Sequence, residues 1–161
     1  MKTRIVNKEA FKVAGIKGEE IQSHECPSIW DKLYEQGSFI ELELLGNGQS
    51  MGLCYGAMVD DRINYMAAYN VSDENLAKAE AMGLELLDVP AAEYFVATLK
   101  GSVPQSIQNG WRYVMEEYFP AYGYEHTGSP DFELYSQGDM TSRDYVMELW
   151  VPFTKSSQSI T

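Results

Sequence analysis

Two carboxylates in the C-terminal part of the chain, Glu133 and Glu148, stand among aromatic residues in short segments. Each segment alternates apolar and polar residues, and turn-forming residues 136–139 lie between them, a pattern that predicts two paired strands. Because successive side chains alternate between faces, Glu133 shares a face with Tyr135, and Glu148 shares a face with Trp150. We expect both acids to line the same side of one sheet. An aromatic surface that contains negative charge suits a cationic or polarisable ligand.

The two acids differ in how strongly the pattern favours a binding role. In an apolar pocket, the Glu133 carboxyl would have a raised pKa and would lie near any bound cation or act as a base. The alternative for Glu133 is an acid on the solvent face of its strand. Glu148 either points to the same pocket or pairs with Lys155 or Arg143 at the surface.

Aromatic residues supply the other candidates. Tryptophans at helical spacing are usually core residues, although Trp30 and Trp111 occupy matching places and could flank a groove. Eleven tyrosines exceed what a small core requires, and a buried phenol needs a hydrogen-bond partner. Methionines would give an adaptable lining, although they commonly fill gaps in a core. The candidate ligand-binding residues are Glu133, Tyr135, Trp111, Trp30, Tyr55, Tyr69, Tyr94, Glu148 and Met66.

Composition narrows the possible functions. The chain has 161 residues, with a formal net charge of −12, and a balance this acidic disfavours direct binding to nucleic acid. The two cysteines have no CxxC spacing, and the triplet 24–26 is a poor metal site because adjacent side chains rarely converge on one ion. No cofactor motif, signal peptide or membrane span is visible. We therefore expect a cytoplasmic protein without a metal or a cofactor.

Hydrophobic periodicity predicts an α+β protein. One strand is expected over 4–18, and Pro27 opens a helix whose apolar residues run from Ile29 towards Phe39. A helix is also expected over 72–83, and Pro104 opens another that carries Trp111. The remaining predicted strands are 50–59, 63–71, 84–89, 92–100, 131–135 and 146–152.

The two halves of the chain resemble each other. Residues 11–18 align with 94–101, and in each half a proline-led helix with a tryptophan follows, and then two strands. A repeat of this length predicts duplicated βαββ units over about 3–71 and 84–154, related by a pseudo-twofold axis, with a ligand groove where they meet. We expect one domain over 1–154 and a flexible tail over 155–161.

The order of several short motifs resembles the GyrI-like small-molecule-binding family, also described as AraC-type effector-binding domains. The motifs are the Pro-x-x-Trp helix start at 27–30, Tyr55-Gly56, 65–69, 89–94, Trp111, Phe132-Glu133-x-Tyr135 and the ending 148–152. The resemblance implies an antiparallel concave sheet, two helices flanking a central pocket, and a buried acid, Glu133, on the pocket floor.

Family members include drug-sensing halves of transcription regulators, stand-alone binders, a gyrase inhibitor and hydrolases of cyclopropane-containing toxins. The expected function is therefore a stand-alone binder of a hydrophobic or cationic molecule, in partnership with a transcription regulator or an enzyme. Two alternatives remain: a hydrolase in which Glu133 is catalytic, and an acidic protein that inhibits a DNA-acting enzyme. Because the predicted domain spans 1–154, we do not expect a helix-turn-helix domain in this chain.

Overall fold

The computed structural model describes residues 1–156. Its helical segments are α1 (Cys26–Gln36), α2 (Phe39–Glu43), α3 (Leu76–Ala81), α4 (Gln105–Arg112) and α5 (Phe119–Tyr122), and a π-helical segment (Tyr113–Tyr118) joins α4 to α5. The strands are β1 (Lys2–Lys8), β2 (Phe11–Ile21), β3 (Ser50–Val59), β4 (Arg62–Val71), β5 (Glu85–Val89), β6 (Ala92–Lys100), β7 (Tyr124–His126), β8 (Asp131–Tyr135) and β9 (Val146–Lys155).

The sheet is antiparallel and repeats one pattern twice. Its strand order is β1-β6-β9-β8-β3-β4-β2-β5, and β7 pairs with β9. In the first half the chain runs β2-α1-β3-β4, and in the second half it runs β6-α4-β8-β9. In each unit the first strand, β2 or β6, lies farthest from the centre of the sheet, and the second strand, β3 or β8, lies at the centre. The predicted duplicated βαββ fold is confirmed, and Trp30 and Trp111 lie on equivalent helices.

The strands that precede each unit cross to the other half. β1 leads into β2 but pairs with β6, and β5 leads towards β6 but pairs with β2. The prediction of one strand over 4–18 is therefore wrong. The chain breaks at Glu9 and Ala10, which carry no glycine or proline to signal a turn. A local pattern does not reveal that the two strands pair at opposite ends of the sheet.

The helix-free face of the sheet curls onto itself. Side chains from both terminal strands, Val6 and Leu87, pack against one apolar cluster on this face. The rings of Phe11 and Phe132 lie 5.6 Å apart, although β2 and β8 are separated by two strands. Neighbouring strands lie about 4.8 Å apart, so this contact requires strong curvature. The curvature closes a core on one face and leaves the other face to the helices.

Helix α1 packs on its own half of the sheet through one narrow stripe. Pro27 lies in its first turn, where the missing amide hydrogen costs nothing. Ile29 and Leu33, one turn apart, are buried against β2 and β4. The helix ends at Gln36, and Phe39 begins a separate short helix that is capped by Ser38. The expectation that one helical stripe continues to Phe39 is therefore wrong.

The second unit follows the same plan with a different helix. α4 approaches β6 closely at Gly110, where an added Cβ would lie 2.6 Å from a Leu99 methyl carbon. The predicted helix within 72–83 is present as α3, which follows a 3-10 turn. β9 extends to Lys155, and the end of the predicted tail, 157–161, lies outside the described residues. Within the part of the chain that is described, no helix is long and apolar enough to cross a bilayer.

Candidate functional site

A cavity of about 1420 Å³ opens between α1 and α4 on the face of the sheet that carries the helices. Its floor is formed by strands β8, β3 and β4, and the two repeated units meet where β8 pairs with β3. The walls come from α1 and α2 on one side, and from α4 and the β8–β9 loop on the other. A cavity at the junction of duplicated units is a common place for a ligand.

Glu133 lies on the floor of this cavity. It sits opposite Gly52 on β3 and opposite Leu149 on β9. Its side chain lies deep in the protein, and its partial exposure is to the cavity that it lines. Gly52 is needed beside it, because an added Cβ would lie 2.3 Å from the Tyr65 hydroxyl and 3.2 Å from Glu133 Oε1.

Two tyrosines and a tryptophan surround the carboxylate. The Tyr135 hydroxyl donates a hydrogen bond of 2.5 Å to Glu133 Oε1. The Trp30 indole N–H donates to the Tyr65 hydroxyl at 2.8 Å, and this hydroxyl also interacts with that of Tyr135. The floor is therefore a connected polar group enclosed by aromatic rings, and its negative end is Glu133.

The surroundings of Glu133 raise the pKa of its carboxyl group. Burial raises the pKa of Glu133 to about 7, the Tyr135 hydrogen bond opposes this rise, and the nearby Asp131 carboxylate adds to it. Burial also raises the pKa of Tyr135 and Tyr65, and the proximity of Glu133 raises it further. Both phenols therefore keep their protons, and the only anionic charge of the group is that of Glu133.

Helix geometry explains how α1 supplies one wall. Trp30 and Tyr34 follow Ile29 and Leu33 by one position, so they lie on a neighbouring stripe of the same helix. The Trp30 ring packs edge-on against Tyr135 with centroids 5.6 Å apart, and it stacks on Tyr34 at 6.1 Å. One stripe of α1 thus packs on the sheet while the next presents aromatic rings to the cavity.

The opposite wall is mostly apolar. Trp111 and Ile107 of α4 line it one turn apart, together with Met140 of the β8–β9 loop. Tyr145 fixes this loop, because its hydroxyl donates to the Ser136 carbonyl at 2.7 Å and accepts from the Ser136 amide at 3.1 Å.

The charged groups of the lining are mainly acidic. Asp31, Glu43 and Glu133 line the cavity, and within residues 1–156 no lysine or arginine does so. The electrostatic field of such a lining favours a cation over an anion.

The structure brings five of the nine candidates together at this cavity: Glu133, Tyr135, Trp30, Trp111 and Tyr69. The other four lie on the opposite, helix-free face. Tyr94 and Met66 are fully buried in the apolar cluster of that face, and Tyr55 packs against it. Strand register explains this placement, because Met66 pairs with Leu53 and therefore points away from Glu133.

The expectation that Glu133 and Glu148 share a face is wrong. Glu148 pairs with Leu134, the neighbour of Glu133, and so projects to the other side of the sheet. There its carboxylate accepts from Arg4 at 2.7 Å and from the Trp150 indole N–H at 3.1 Å. The register between two strands cannot be read from alternation within each strand, and a shift of one residue reverses the face.

Several lining residues are not among the candidates from the sequence. Two of them are Tyr34, four residues after the candidate Trp30, and Tyr65, four residues before the candidate Tyr69. That spacing places each pair on one side of its helix or strand and could have identified them. Cys26 and Cys54 also line the cavity, and burial raises the pKa of Cys26 to about 11. No spacing signal links these two cysteines.

A duplicated βαββ sheet with an acid on the floor of an aromatic cavity defines a class of ligand-binding domain, and comparison with known proteins identifies the family. The chain belongs to the GyrI-like small molecule binding domain family, whose model matches residues 1–154. The resemblance seen in the sequence is therefore confirmed. A search of curated proteins finds no significant match to this chain.

Solved structures share the fold. SAV2435 bound to tetraphenylphosphonium has 26% identity and a TM-score of 0.78, with 96% of this chain and 94% of that chain covered. A protein from Staphylococcus aureus MU50 described as acting in transcription regulation has 24% identity and a TM-score of 0.73, with 96% and 99% covered. The C-terminal domain of EcmrR has 17% identity and a TM-score of 0.66, with 96% and 98% covered. The last two likenesses concern the fold alone.

Proposed function

We propose that this chain binds hydrophobic organic cations in the cavity between α1 and α4, with the Glu133 carboxylate as the compensating charge. The observation that carries the proposal is the placement of Glu133 on the floor of an aromatic cavity whose lining, in the described part of the chain, holds no basic side chain other than His24. A lone buried carboxylate is costly unless a cation, a hydrogen bond or a proton compensates it.

The aromatic rings supply the remaining affinity. Trp30 and Tyr135 present ring surfaces beside the carboxylate, and a cation over such a ring is attracted by its quadrupole. The interaction strengthens in a desolvated site, where a weakly hydrated organic cation loses less hydration energy than a metal ion or a primary amine. The Tyr135 hydrogen bond fixes the carboxylate before the ligand arrives, which reduces the cost of ordering it.

One relative supports this ligand class. SAV2435, a structure with 26% identity over nearly the whole of both chains, holds the lipophilic cation tetraphenylphosphonium. The cavity of this chain is large, has aromatic walls and carries negative charge, so we propose the same class of ligand for it.

A pair of ions of nearly equal size tests the proposal. Tetraphenylphosphonium and tetraphenylborate have the same shape and opposite charges, so the difference between them isolates the charge preference of the site. In a calorimetric titration we expect saturable binding of the cation and no detectable binding of the borate. Equal affinity for both ions would show that the cavity selects by hydrophobicity alone, and absence of binding by the cation would refute the proposal.

A hydrolytic function is the second candidate, and the group formed by Glu133, Tyr135 and Tyr65 favours it. A carboxylate with a pKa near 7 is a suitable general base, and a neighbouring phenol is a proton donor. In that case Glu133→Gln would abolish turnover of a substrate that still binds. Mass analysis of bound ligands after prolonged incubation distinguishes a hydrolase, which releases products, from a binder, which returns the ligand intact.

We propose further that the chain works in the cytoplasm. We also propose that it makes no direct contact with nucleic acid, because its formal net charge is −12. Its effect would then be transmitted through a partner, either a transcription regulator or an enzyme. The inhibition of a DNA-acting enzyme by acidic mimicry has less support, because the carboxylate with the most distinctive surroundings, Glu133, lies on the floor of a cavity, where it cannot imitate a phosphate on an outer face.

A further inference from the structure

The cavity contains a second acidic end beyond Glu133. Glu43, at the end of α2, lines the cavity together with Phe39 of the same helix. Its carboxylate is close enough to the Tyr69 hydroxyl to contribute to the raised pKa of that phenol. Glu43 is half-buried, and across residues 1–156 its side chain has no hydrogen bond or salt bridge.

A continuous row of aromatic rings connects the two acids. From Glu133 the row runs through Tyr135, Trp30, Tyr34 and Tyr69, and successive ring centroids lie 5.6, 6.1 and 6.5 Å apart. The Tyr34 and Tyr69 hydroxyls are joined by a hydrogen bond of 2.8 Å, which fixes the far end of the row. This spacing offers ring surface along the length of an extended ligand.

We infer that the cavity has two cation subsites, one at Glu133 and one at Glu43, and that it prefers elongated hydrophobic dications to monocations. The inference rests on the proposed function, because it assigns the Glu133 subsite to the first cationic group. The cavity volume of about 1420 Å³ exceeds the range of about 300 to 1,000 Å³ of ordinary ligand pockets. A ligand that occupied the Glu133 end alone would leave the Glu43 end of the cavity unfilled.

When two cationic groups are linked, the second group binds intramolecularly once the first is bound. The gain in affinity therefore depends on whether the linker spans the two subsites. The probes are bis-triphenylphosphonium alkanes with linkers of about four to twelve methylenes, an extended reach of roughly 5 to 15 Å. Each is compared with the matched monocation, in which a neutral triphenylmethyl group replaces one phosphonium. We expect the best dication to bind about 3- to 10-fold more tightly than its monocation, the scale of a partly exposed ion pair.

Variants separate the subsites from the general field of an acidic protein. Glu43→Gln should weaken the dication more than the monocation and so remove the dication preference, whereas Glu133→Gln should weaken both probes. Glu35→Gln is the control, since Glu35 is exposed on α1 outside the cavity and its loss changes the net charge equally. Tyr34→Leu interrupts the row at a half-exposed position and should also reduce the dication preference.

The outcomes are distinguishable from failure of the proposed function. If no monocation binds, the proposed function itself fails. If monocations bind but dications of all linker lengths bind with the same affinity, the second subsite does not exist. Equal effects of Glu43→Gln and Glu35→Gln on the dication preference would lead to the same conclusion. A dication preference with an optimum linker length that Glu43→Gln removes would establish it.

Discussion

Glu133 on β8 faces Gly52 on β3, and the missing side chain of Gly52 provides the space in which the Glu133 carboxylate and the Tyr65 hydroxyl lie. The glycine is required by close approach and not by an unusual backbone angle. It joins the two repeated units at the point where the cavity floor forms. The acidic group therefore depends on a residue that cannot itself contact a ligand through a side chain.

Gly52→Ala should disrupt this arrangement. The added Cβ would lie 2.3 Å from the Tyr65 hydroxyl, and Tyr65 is buried with little freedom to move. We expect a loss of about 1 to 3 kcal/mol in the free energy of unfolding, with weaker cation binding. Urea denaturation measures the first quantity and calorimetry the second.

A double-mutant cycle tests the cause of this effect. Tyr65→Phe removes the hydroxyl that the new methyl group would meet, so Gly52→Ala should cost less in the Tyr65→Phe background. Additive effects of the two substitutions would show that the damage arises elsewhere.

Cation affinity should depend on pH. Because the pKa of Glu133 is raised to about 7, a cation that needs the ionised carboxylate must displace a proton at lower pH. Affinity for tetraphenylphosphonium should rise with pH between about 5 and 7, by at most about tenfold per pH unit, and level off above that range. Calorimetry at several pH values, in buffers of different ionisation enthalpy, detects both the trend and the released proton.

Glu133→Gln supplies the control for this pH profile, because an amide keeps the shape and does not titrate. Its affinity for the same cation should be nearly constant across the range. A variant profile as steep as that of the native protein would assign the titration to another group.

Stability should change with pH in the opposite direction. The folded-state pKa of Glu133 lies above the ordinary value of 4.5, so the folded state binds more protons and loses stability as pH rises from about 4.5 to about 7. At pH 8 we expect Glu133→Gln to be more stable than the native protein by about 1 to 3 kcal/mol, and this difference should shrink towards pH 4. Denaturant unfolding at the two pH values checks it. A difference independent of pH would contradict the assigned pKa.

The isolated chain should not bind duplex DNA. A protein with a formal net charge of −12 has too few basic side chains, relative to its acids, to neutralise DNA phosphates and release their counterions. Fluorescence anisotropy with labelled duplexes at moderate salt should show no saturable binding, with or without tetraphenylphosphonium. Salt-dependent micromolar binding would contradict this prediction.

Much of the fold could be predicted from local patterns. The proline-led helix with Trp30 and its counterpart with Trp111 revealed the duplication, which then fixed the order of the units. The pattern missed the separation of β1 from β2, because these strands exchange between halves without a turn signal at Glu9. Pairing between distant strands is a property of the assembled sheet.

The site was predictable at its centre and less so at its edges. Alternation placed Glu133 with Tyr135, and the structure shows them joined by a hydrogen bond. It could not place Glu148, whose face depends on the register between β8 and β9. Tyr94 and Met66 were selected for their residue types, yet the curled face of the sheet buries both in an apolar core.

The central claim is that the Glu133 charge binds the ligand cation, and two matched substitutions test it. Glu133→Gln removes the carboxylate on the cavity floor, whereas Glu148→Gln removes one on the opposite face, beside Arg4. Titration with tetraphenylphosphonium at pH 8 should show a loss of about 1 to 3 kcal/mol for Glu133→Gln, the scale of a charge-assisted contact, and no change for Glu148→Gln. Equal affinities for the native protein and Glu133→Gln, or equal losses in the two variants, would contradict the claim.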